Sequence, residues 1–501
     1  VRDAVAPFAP EAVAEVCDVA PEVIRSIARD LAAAPRAAVY ARIGTCTVEF
    51  GTTAQWLVDV VNTLTGNLDR VGGVLFPKAA AAQSNSTGTP GRGRGVRFGR
   101  RHSRVRGAPE VFGELPVACL AEEIETPGDG QVRALFTVAG NPVLSTPDST
   151  RLDAALASLE FMVSVDVYLN ETTRHADVVL PGPSVLHKAH YPLAFHQLAI
   201  RNVAHWTPPS LPLPDGVPDE WEILLRLAAI VSGAGADADI MALDDMVATT
   251  LVHKAVQTPG SPVDGRDPAD ILAMLAADGR VGPERLVDLM LRTGPYGDGF
   301  AATGESDGLT LGVLEAHPHG YDLGPLQPRL PEMLRTPSGA VELAPQPLVD
   351  DTARLRASLD ELRGAPPRVD GAGLVLVGRR DLRSNNSWMH NVAVLVSGPP
   401  RCTLHVHPDD AAALGLVDGA EATVTSRTGS ITLSVQVTDA VRRGVVSVPH
   451  GWGHGADGTS MTVANAHAGA NVNVLADAQV LDPLSGNAVL NAIPVTVAAS
   501  R

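Results

Sequence analysis

The chain has 501 residues, 45% of them hydrophobic and 19% charged, with a formal net charge of −17 at pH 7. That length holds several domains, each with its own core. The acidic balance argues against a general nucleic-acid or anionic-membrane binder.

Cys17, Cys46, Cys119 and Cys402 form no C-x-x-C pair, which excludes a local zinc ribbon or cysteine-held iron–sulfur cluster in this chain. They read as isolated reduced thiols, and their sparsity favours a reducing compartment. No uncharged apolar stretch reaches transmembrane length. The opening VRDAVAPFAPE carries no methionine, basic leader or signal-like core, so the sequence is expected to begin inside a larger protein.

Residues 20–34, APEVIRSIARDLAAA, place Ile24, Ile27, Ala28 and Leu31 on one helical stripe. AAVYARIG then reads as a short strand reaching glycine. TTAQWLVDVVNTLTGN predicts a helix capped by Thr52 or Thr53 and stopped near Gly66-Asn67. Residues 79–107 are rich in Gly and Ser, with seven arginines between 92 and 106 and no acid among them. They read as a solvated loop, a loop drawing an anion to a cleft, or a nucleic-acid arm.

QVRALFTVAGNP is a strand running into a turn. STPDSTRLDAALASL is a helix with Pro147 in its first turn, and EFMVSVDVYL is the next strand. NETTRHADVVLP adds a loop and a third short strand, Asp177 to Leu180. The whole is a compact βαβ unit. WTPPSLPLPDGVPDE connects to the amphipathic helix WEILLRLAAIV. Residues 230–365 read as helical and loop-rich, with strand-like AVELAP at 340–345, and GAPPRVDGAG at 364–373 is a linker. Beyond it LVLVG, TLHVH, EATVTS, SITLSVQV and GVVSVP are short β-branched strands, interrupted by the helix PDDAAALGL. Together they predict a small closed β-barrel.

Three constellations carry chemistry. Ligands of open parallel sheets bind beyond the carboxyl ends of the strands, where Gly140-Asn141-Pro142 and Asp166 fall. A glycine turn and a helix start suit a phosphate. Asp166 either accepts bonds from a ribose diol or guanine edge or simply caps its loop, with Thr172 and Thr173 nearby. The segment RRDLRSNNSWMHN packs Arg379, Arg380, Arg383, Asn385, Asn386 and Trp388 together, a dense set of planar hydrogen-bonding groups. PHGWGHG spaces His450 and His454 as a zinc helix would, but its glycines deny a helix and no H-E-x-x-H glutamate is present. A glycine loop against a flat ligand, with His450 and Asn473 as hydrogen bonders, fits better. His405 and His407 read as framing the barrel. No Gly-x-Ser-x-Gly elbow, P-loop or kinase signature occurs.

GNPVLSTPDSTRLDAALASLEFMVSVDVYLNETTRHADVVLP resembles the molybdopterin oxidoreductase family, of the DMSO reductase and formate dehydrogenase type, with its G-N-P and E-T-x₃-A-D-x-V-L-P signatures. TLHVHPDDAAALGLVDGAEATVTSRTGSITLSVQVTDAVRRGVVSVPHGWGH is similar to that family's C-terminal dinucleotide-binding domain. LTGNLDRVGG and LRTPSGAVELAP match two further family segments.

The resemblance implies an α/β fold, with Rossmann-like parallel-sheet domains followed by a C-terminal double-psi β-barrel. It divides the chain into 1–78, the end of an α/β domain; 79–365, carrying the guanosine-binding βαβ unit; and 366–501, the barrel. It implies a bis-molybdopterin guanine dinucleotide holding molybdenum or tungsten, and Mo(VI)/Mo(IV) two-electron chemistry on a small substrate such as formate or an oxyanion. Gly140, Asn141, Pro142, Asp166, Glu171, Thr172 and Asp177 would shape the site of one guanosine arm. Arg379, Arg380, Asn385, Asn386, Trp388, His450, Gly451 and Asn473 would close over the second from the barrel side. RIGTCTVEFG resembles a segment near the active site, with Thr45 or Glu49 as contacts.

The protein ligand to the metal and any [4Fe–4S] cluster are expected upstream of residue 1, with none within this chain, as for the C-terminal two-thirds of a catalytic subunit. An electron-transfer partner protein or subunit, a cytoplasmic location, no nucleic-acid partner and no membrane insertion by this chain complete the expectation. The alternatives are a cofactor-binding fragment inactive without its N-terminal part, a non-redox hydratase of the same family, and a nucleotide-sugar or NAD enzyme.

Overall fold

The computed structural model describes residues 1–81, 98–301, 307–364 and 373–500. The helix expected at 20–34 forms as Pro21–Ala33, with proline in the first turn where its missing N–H is no loss. The strand expected in AAVYARIG does not form. The Asn62 carboxamide takes both polar groups of Val39, accepting from its N–H at 2.8 Å and donating to its carbonyl at 2.9 Å. One side chain thus replaces a rung of sheet, and no ladder is needed to satisfy this backbone.

The next helix starts at Gly51 and runs to Leu64, so neither Thr52 nor Thr53 caps it. Thr53 lies inside and donates to Asp351 at 2.6 Å. The cap comes from 430 residues away: the Asp482 carboxylate accepts from the Thr52 N–H at 2.6 Å. Gly66, at φ +71°, ends the helix as expected.

Strands β1 (Phe98–His102) and β2 (Pro109–Val111) pair antiparallel. Three arginines of the basic run are committed to acids here. Arg100 pairs with Glu110, Arg104 with Glu123 at 3.3 Å and Arg106 with Glu122 at 2.6 Å. Arg106 also donates to the Ala478 carbonyl at 2.6 Å, so these three serve packing rather than an anion-drawing loop. Residues 82–97, with Arg92, Arg94 and Arg97, lie outside the described residues.

β3 (Ala134–Val138), β4 (Phe161–Val165) and β5 (Val178–Val179) form a parallel sheet in that order. Helices Pro142–Ser145 and Ser149–Leu156 connect β3 to β4, the second starting just beyond Pro147. Ile124, Val143, Leu152, Leu156 and Met162 make the core between helices and sheet. The βαβ unit forms as predicted.

β6 (Arg201–Ala204) and β7 (Tyr321–Pro325) form a separate antiparallel pair. Between them run the helices Glu220–Val231, Ile240–Val256, Pro268–Ala276 and Gly282–Arg292. The first carries a capping box of Asp219 and Glu222. AVELAP is not a strand; the Leu343 carbonyl accepts instead from Trp56 Nε1 at 2.9 Å. Helix Gln346–Gly364 leads to the expected linker, whose residues 365–372 lie outside the described residues.

β8 (Leu374–Arg379), β9 (Leu404–Val406), β10 (Glu421–Thr425), β11 (Ser430–Val437), β12 (Val445–Pro449) and β13 (Ile493–Ala499) close a barrel in the order β10-β11-β9-β12-β8-β13. Ile431, Leu433 and Val435 of β11 and Ile493, Val495 and Val497 of β13 point inward at every second position. They meet Leu376, Leu404, Val406, Val424 and Val446, all fully buried. Closure leaves no unpaired edge. The sixth strand, β13, is not among those predicted from sequence. The segment RIGTCTVEFG docks against this barrel: the Thr47 carbonyl accepts from the N–H groups of Leu490 and Asn491, and Asn491 Oδ1 accepts from Gly378 of β8 at 2.8 Å.

Candidate cofactor site between the sheet and the barrel

At the carboxyl end of β3 the chain turns through Ala139, at φ +50°, into Gly140-Asn141-Pro142. The left-handed residue is Ala139, one position before the glycine of the turn. A Cβ added at Gly140 would meet no atom closer than 3.9 Å, so this chain's own packing does not dictate glycine there. Asn141 is 8% exposed, and Pro142 opens the short helix behind it.

The loop after β4 reaches back to this turn. Asn141 Nδ2 donates to Glu171 Oε2 at 2.8 Å, and Thr172 Oγ1 donates to Asn141 Oδ1 at 2.7 Å while accepting from the Val143 N–H at 3.1 Å. A carboxylate only accepts, so Glu171 fixes which end of the Asn141 carboxamide faces it. Thr173 Oγ1 donates to the Tyr168 carbonyl and accepts from the Asn170 N–H, tightening the same loop.

Asp166 stands at the end of β4, half-buried, accepting from the Tyr168 N–H at 3.0 Å and Asn170 Nδ2 at 3.2 Å. Burial pushes its carboxyl above the ordinary range despite these bonds. Its oxygens keep capacity for further donors. Asp177 instead holds β5 against β4, its carboxylate accepting from the Met162 N–H at 2.8 Å while its own N–H donates to the Met162 carbonyl.

On the barrel side, Arg380, Arg383, Asn385, Asn386 and Trp388 are exposed on one loop after β8. Asn385 and Asn386 both have positive φ, which asparagine tolerates, and Arg380 is hydrogen-bonded to the Asn386 side chain. Arg379 is set apart from them. It donates to the carbonyls of Ser447 and Thr403 at 3.1 and 3.0 Å and of Arg401 at 3.3 Å, so it pegs the barrel rather than arming the loop. The Gly451 turn presses on this loop: an added Cβ would overlap the Asn386 carbonyl oxygen. Half-buried His450 donates its N–H to the Arg379 carbonyl.

The two halves are joined directly. His454 Nδ1 lies 3.0 Å from Glu171 Oε1, and His454 Nε2 lies 2.9 Å from His390 Nδ1. His390 Nε2 is 2.7 Å from Ser384 Oγ, and its ring stacks on Trp452 with centroids 3.9 Å apart. Glu171, His390, Ser384 and His454 are 2, 1, 3 and 6% exposed. Two asparagines staple the same seam. Asn473 Nδ2 donates to the Leu144 carbonyl at 2.7 Å, and Asn471 Nδ2 to the Val143 carbonyl and Ser149 Oγ, both at 3.0 Å. Asn473 therefore binds the neighbouring domain with the donor expected to meet a flat ligand.

Sequence reasoning missed His390, Ser384 and Asn471 and weighed His454 only as a zinc ligand. The available signal was their place inside RSNNSWMHN, PHGWGHG and GANVNVL. Among the described residues no group of three or more His, Cys, Asp or Glu side chains is arranged to hold a metal ion. Thr45 and Glu49 are already engaged within the protein, Thr45 Oγ1 with the Arg42 carbonyl at 2.9 Å and Glu49 with Arg354 at 3.0 Å. The four cysteines are unpaired.

Residues 26–191 match the family described as Molybdopterin oxidoreductase, and residues 374–494 match the Molydopterin dinucleotide binding domain. The chain belongs to the molybdopterin oxidoreductase family. Among relatives, the assimilatory nitrate reductase catalytic subunit of Bacillus subtilis is 30% identical over 109 residues, 22% of this chain and 14% of that protein. The F420-dependent formate dehydrogenase subunit alpha of Methanocaldococcus jannaschii is 28% identical over 189 residues, 36% of this chain and 28% of that one. The dimethyl sulfoxide/trimethylamine N-oxide reductase of Rhodobacter capsulatus is 23% identical over 383 residues, 72% and 42% of the two chains. This member of the family thus spans under half the length of these relatives.

The acetylene hydratase of Pelobacter acetylenicus has the same fold. Its TM-score is 0.65 at 17% identity, covering 98% of this chain and 64% of that one. The family's dinucleotide-binding segment begins at β8 and runs into β13, so it contains the barrel loop, His390 and His454. The oxidoreductase segment contains Asn141, Asp166 and Glu171.

A pH dependence follows from the buried imidazoles. Burial and then the neighbouring His454 hold His390 down to about 4, and burial with Arg380 does the same for His450. Burial, with His205 and His190, also depresses His196 to about 4. Between about pH 6.5 and 4 the unfolded chain binds these protons and the folded chain does not. Stability therefore rises with pH through that window. Thermal midpoints recorded from pH 4 to 7 are expected to climb, and His390→Phe is expected to reduce the slope.

Proposed function

We propose that this chain is part of a molybdenum- or tungsten-dependent oxidoreductase. It would bind a bis-molybdopterin guanine dinucleotide between the sheet turn and the barrel loop and act on a small substrate such as formate or an oxyanion. The observation that carries the reading is the buried bridge from Asn141 through Glu171 and His454 to His390. It ties the carboxyl end of the sheet to the one barrel loop that exposes Arg380, Arg383, Asn385 and Asn386 together.

The residues present fit such a group. Gly140 leaves room for close approach to the backbone, and Asp166 has acceptor sites to offer a guanine N1–H and N2–H₂ edge. The exposed loop offers guanidinium forks and carboxamides suited to phosphate and heterocycle. When bound, the pterin-held metal supplies the two-electron step. The chain's part is to hold and orient: Asp166 at the base, Asn141 at the turn, the 380–388 loop over the second arm.

Within this reading the sheet domains are Rossmann-like. The barrel is double-psi, consistent with its parallel pairs β8–β12 and β9–β11. The domain limits are 1–78, 79–365 and 366–501, the location is cytoplasmic, and electrons pass to a partner protein or subunit. No helix among the described residues is long and apolar enough to cross a membrane.

Metal analysis and acid release of nucleotide from the purified protein test the reading. Guanine nucleotide together with molybdenum or tungsten is expected, and neither would appear if the reading fails. Asp166→Ala is expected to weaken binding of guanosine diphosphate about 10- to 100-fold, the loss of charge-assisted hydrogen bonds. An unchanged dissociation constant would remove Asp166 from the site. Electron transfer from substrate to a dye separates the redox reading from hydration.

A further inference from the structure

The helix Gly51–Leu64 forms one wall of a groove of about 630 Å³ that shares no residue with the candidate cofactor site. Gln55, Trp56, Asp59, Val60 and Thr63 supply that wall, at the three- and four-residue spacing of a single helical face. Leu68, Phe76, Met333 and Leu334 give the other walls an apolar surface. Arg335 and Glu342 also line those walls and offset each other in charge, which leaves Asp59 as the net charge of the groove.

The polar side chains on the helix face have spent their donors inside the protein. Thr45 Oγ1 gives its proton to the Arg42 carbonyl at 2.9 Å, so it accepts from Gln55 Nε2, also at 2.9 Å. The second Nε2 hydrogen goes to Cys46 Sγ at 3.3 Å. The Gln55 carboxamide is thereby oriented, and its Oε1 keeps its lone pairs. Thr63 Oγ1 donates to the Asp59 carbonyl at 2.7 Å, and Trp56 Nε1 to the Leu343 carbonyl at 2.9 Å. Among the described residues no donor or cation meets the Asp59 carboxylate. Gln55 Oε1, the Asp59 carboxylate and Thr63 Oγ1 therefore stand one helical turn apart as a row of acceptors.

We propose that this groove binds a primary alkylammonium ion, with its N–H groups on Asp59 and the flanking acceptors and its hydrocarbon stem along Trp56, Val60, Leu68 and Leu334. An ammonium brings donors and no acceptor, which is what the row lacks; an alcohol brings one donor and a carboxylate none. The charge complements Asp59, and the stem covers apolar surface that the acceptors interrupt. Partial burial pushes the Asp59 carboxyl above the ordinary range with no bond to offset it, so a cation relieves an existing cost. The site goes beyond the cofactor reading and does not depend on it.

The test is a ligand-observed NMR titration of the full chain at pH 7, where an alkylamine is charged. Octylammonium is expected to bind saturably, with a dissociation constant of about 1 mM or below. From butyl- through hexyl- to octylammonium the affinity is expected to rise roughly twofold per methylene. 1-Hexanol is expected to bind about tenfold more weakly than hexylammonium, and hexanoate not at all. Asp59→Asn keeps the shape and removes the charge. Because the carboxylate holds nothing in the protein, the thermal midpoint should stay in place while octylammonium affinity falls about tenfold.

Hexanol binding as tightly as hexylammonium overturns the proposal, as does an Asp59→Asn protein of unchanged affinity. Octylammonium binding that never saturates does the same. Nα-acetyl-lysine methylamide separates a free amphiphile from the lysine of a protein partner. Binding about tenfold weaker than octylammonium supports the free amine, whereas equal binding hands the groove to a partner's side chain and overturns it.

Discussion

His454→Leu is expected to destabilise the protein by about 3 kcal/mol at pH 7, because it removes one of the partners of a buried carboxylate. Glu171 lies 2% exposed at the seam between two domains, with His454 on one oxygen and Asn141 on the other. Burial by itself would raise its carboxyl, but the bond to and charge of His454, with the Asn141 bond, outweigh it, and its pKa lies below the ordinary 4.5. A lowered folded-state pKa contributes stability above about pH 4.5, lost as pH falls through the folded value. The penalty of the variant is therefore largest at neutral pH and shrinks in acid, where the stranded carboxyl takes up a proton. Adding Glu171→Gln to His454→Leu is expected to restore part of the loss, since a neutral amide is cheaper to leave half-bonded. Urea unfolding at pH 7 and pH 4.5 reads both. Equal losses at the two pH values would mean that His454 acts through packing alone.

The second large effect is expected at Gly451→Ala. This residue has φ +91°, and an added Cβ would run into the backbone oxygen of Asn386. Strain at positive φ amounts to roughly 1–2 kcal/mol and overpacking against an unyielding backbone to roughly 1–3, so a loss of about 3 kcal/mol is expected. The comparison is Gly415→Ala at φ +64°, where nothing lies within 4 Å of the added Cβ and only the backbone strain remains. The barrel core does not include Gly451, so far-UV circular dichroism should be kept; on the proposed cofactor reading, retention of guanine nucleotide falls about tenfold or more. The 379–391 loop must move aside, and with it Asn385 and Asn386. Retention equal to that of Gly415→Ala would show that the contact of the two turns does not shape the site.

Much of the candidate site's framework was legible because its signals are local. The run GNP…ETTRHAD places a strand end, a turn and a carboxylate within one βαβ unit, and periodicity predicted that unit where it forms. RSNNSW stood out by density of planar groups, and its exposure follows from its position just after β8. Residue type alone did not say which members would be taken by the protein itself. Arg379 pegs the barrel, Asp177 holds β5 and Asn473 staples the seam, each through partners remote in sequence or in another element.

The misses have the same origin. AAVYARIG has strand composition, but Asn62 satisfies Val39 instead of a neighbouring strand. β13 carries Pro494, a residue that argues against a central strand, yet the barrel closes through it, with Pro494 opposite Val375. The helix at Gly51–Leu64 showed its body and its end, but its cap is Asp482 in the other half of the chain.

Amino-acid order by itself determined the elements whose stabilising contacts lie within a few residues: amphipathic helices, alternating strands, the βαβ turn, and the resemblance that these motifs carry. Only the tertiary structure decided that Glu171 meets His454 across 283 residues and that His454 continues through His390 to Ser384. Such pairings follow from where whole domains pack and from the desolvation that makes a buried carboxylate seek a donor. No local pattern records either.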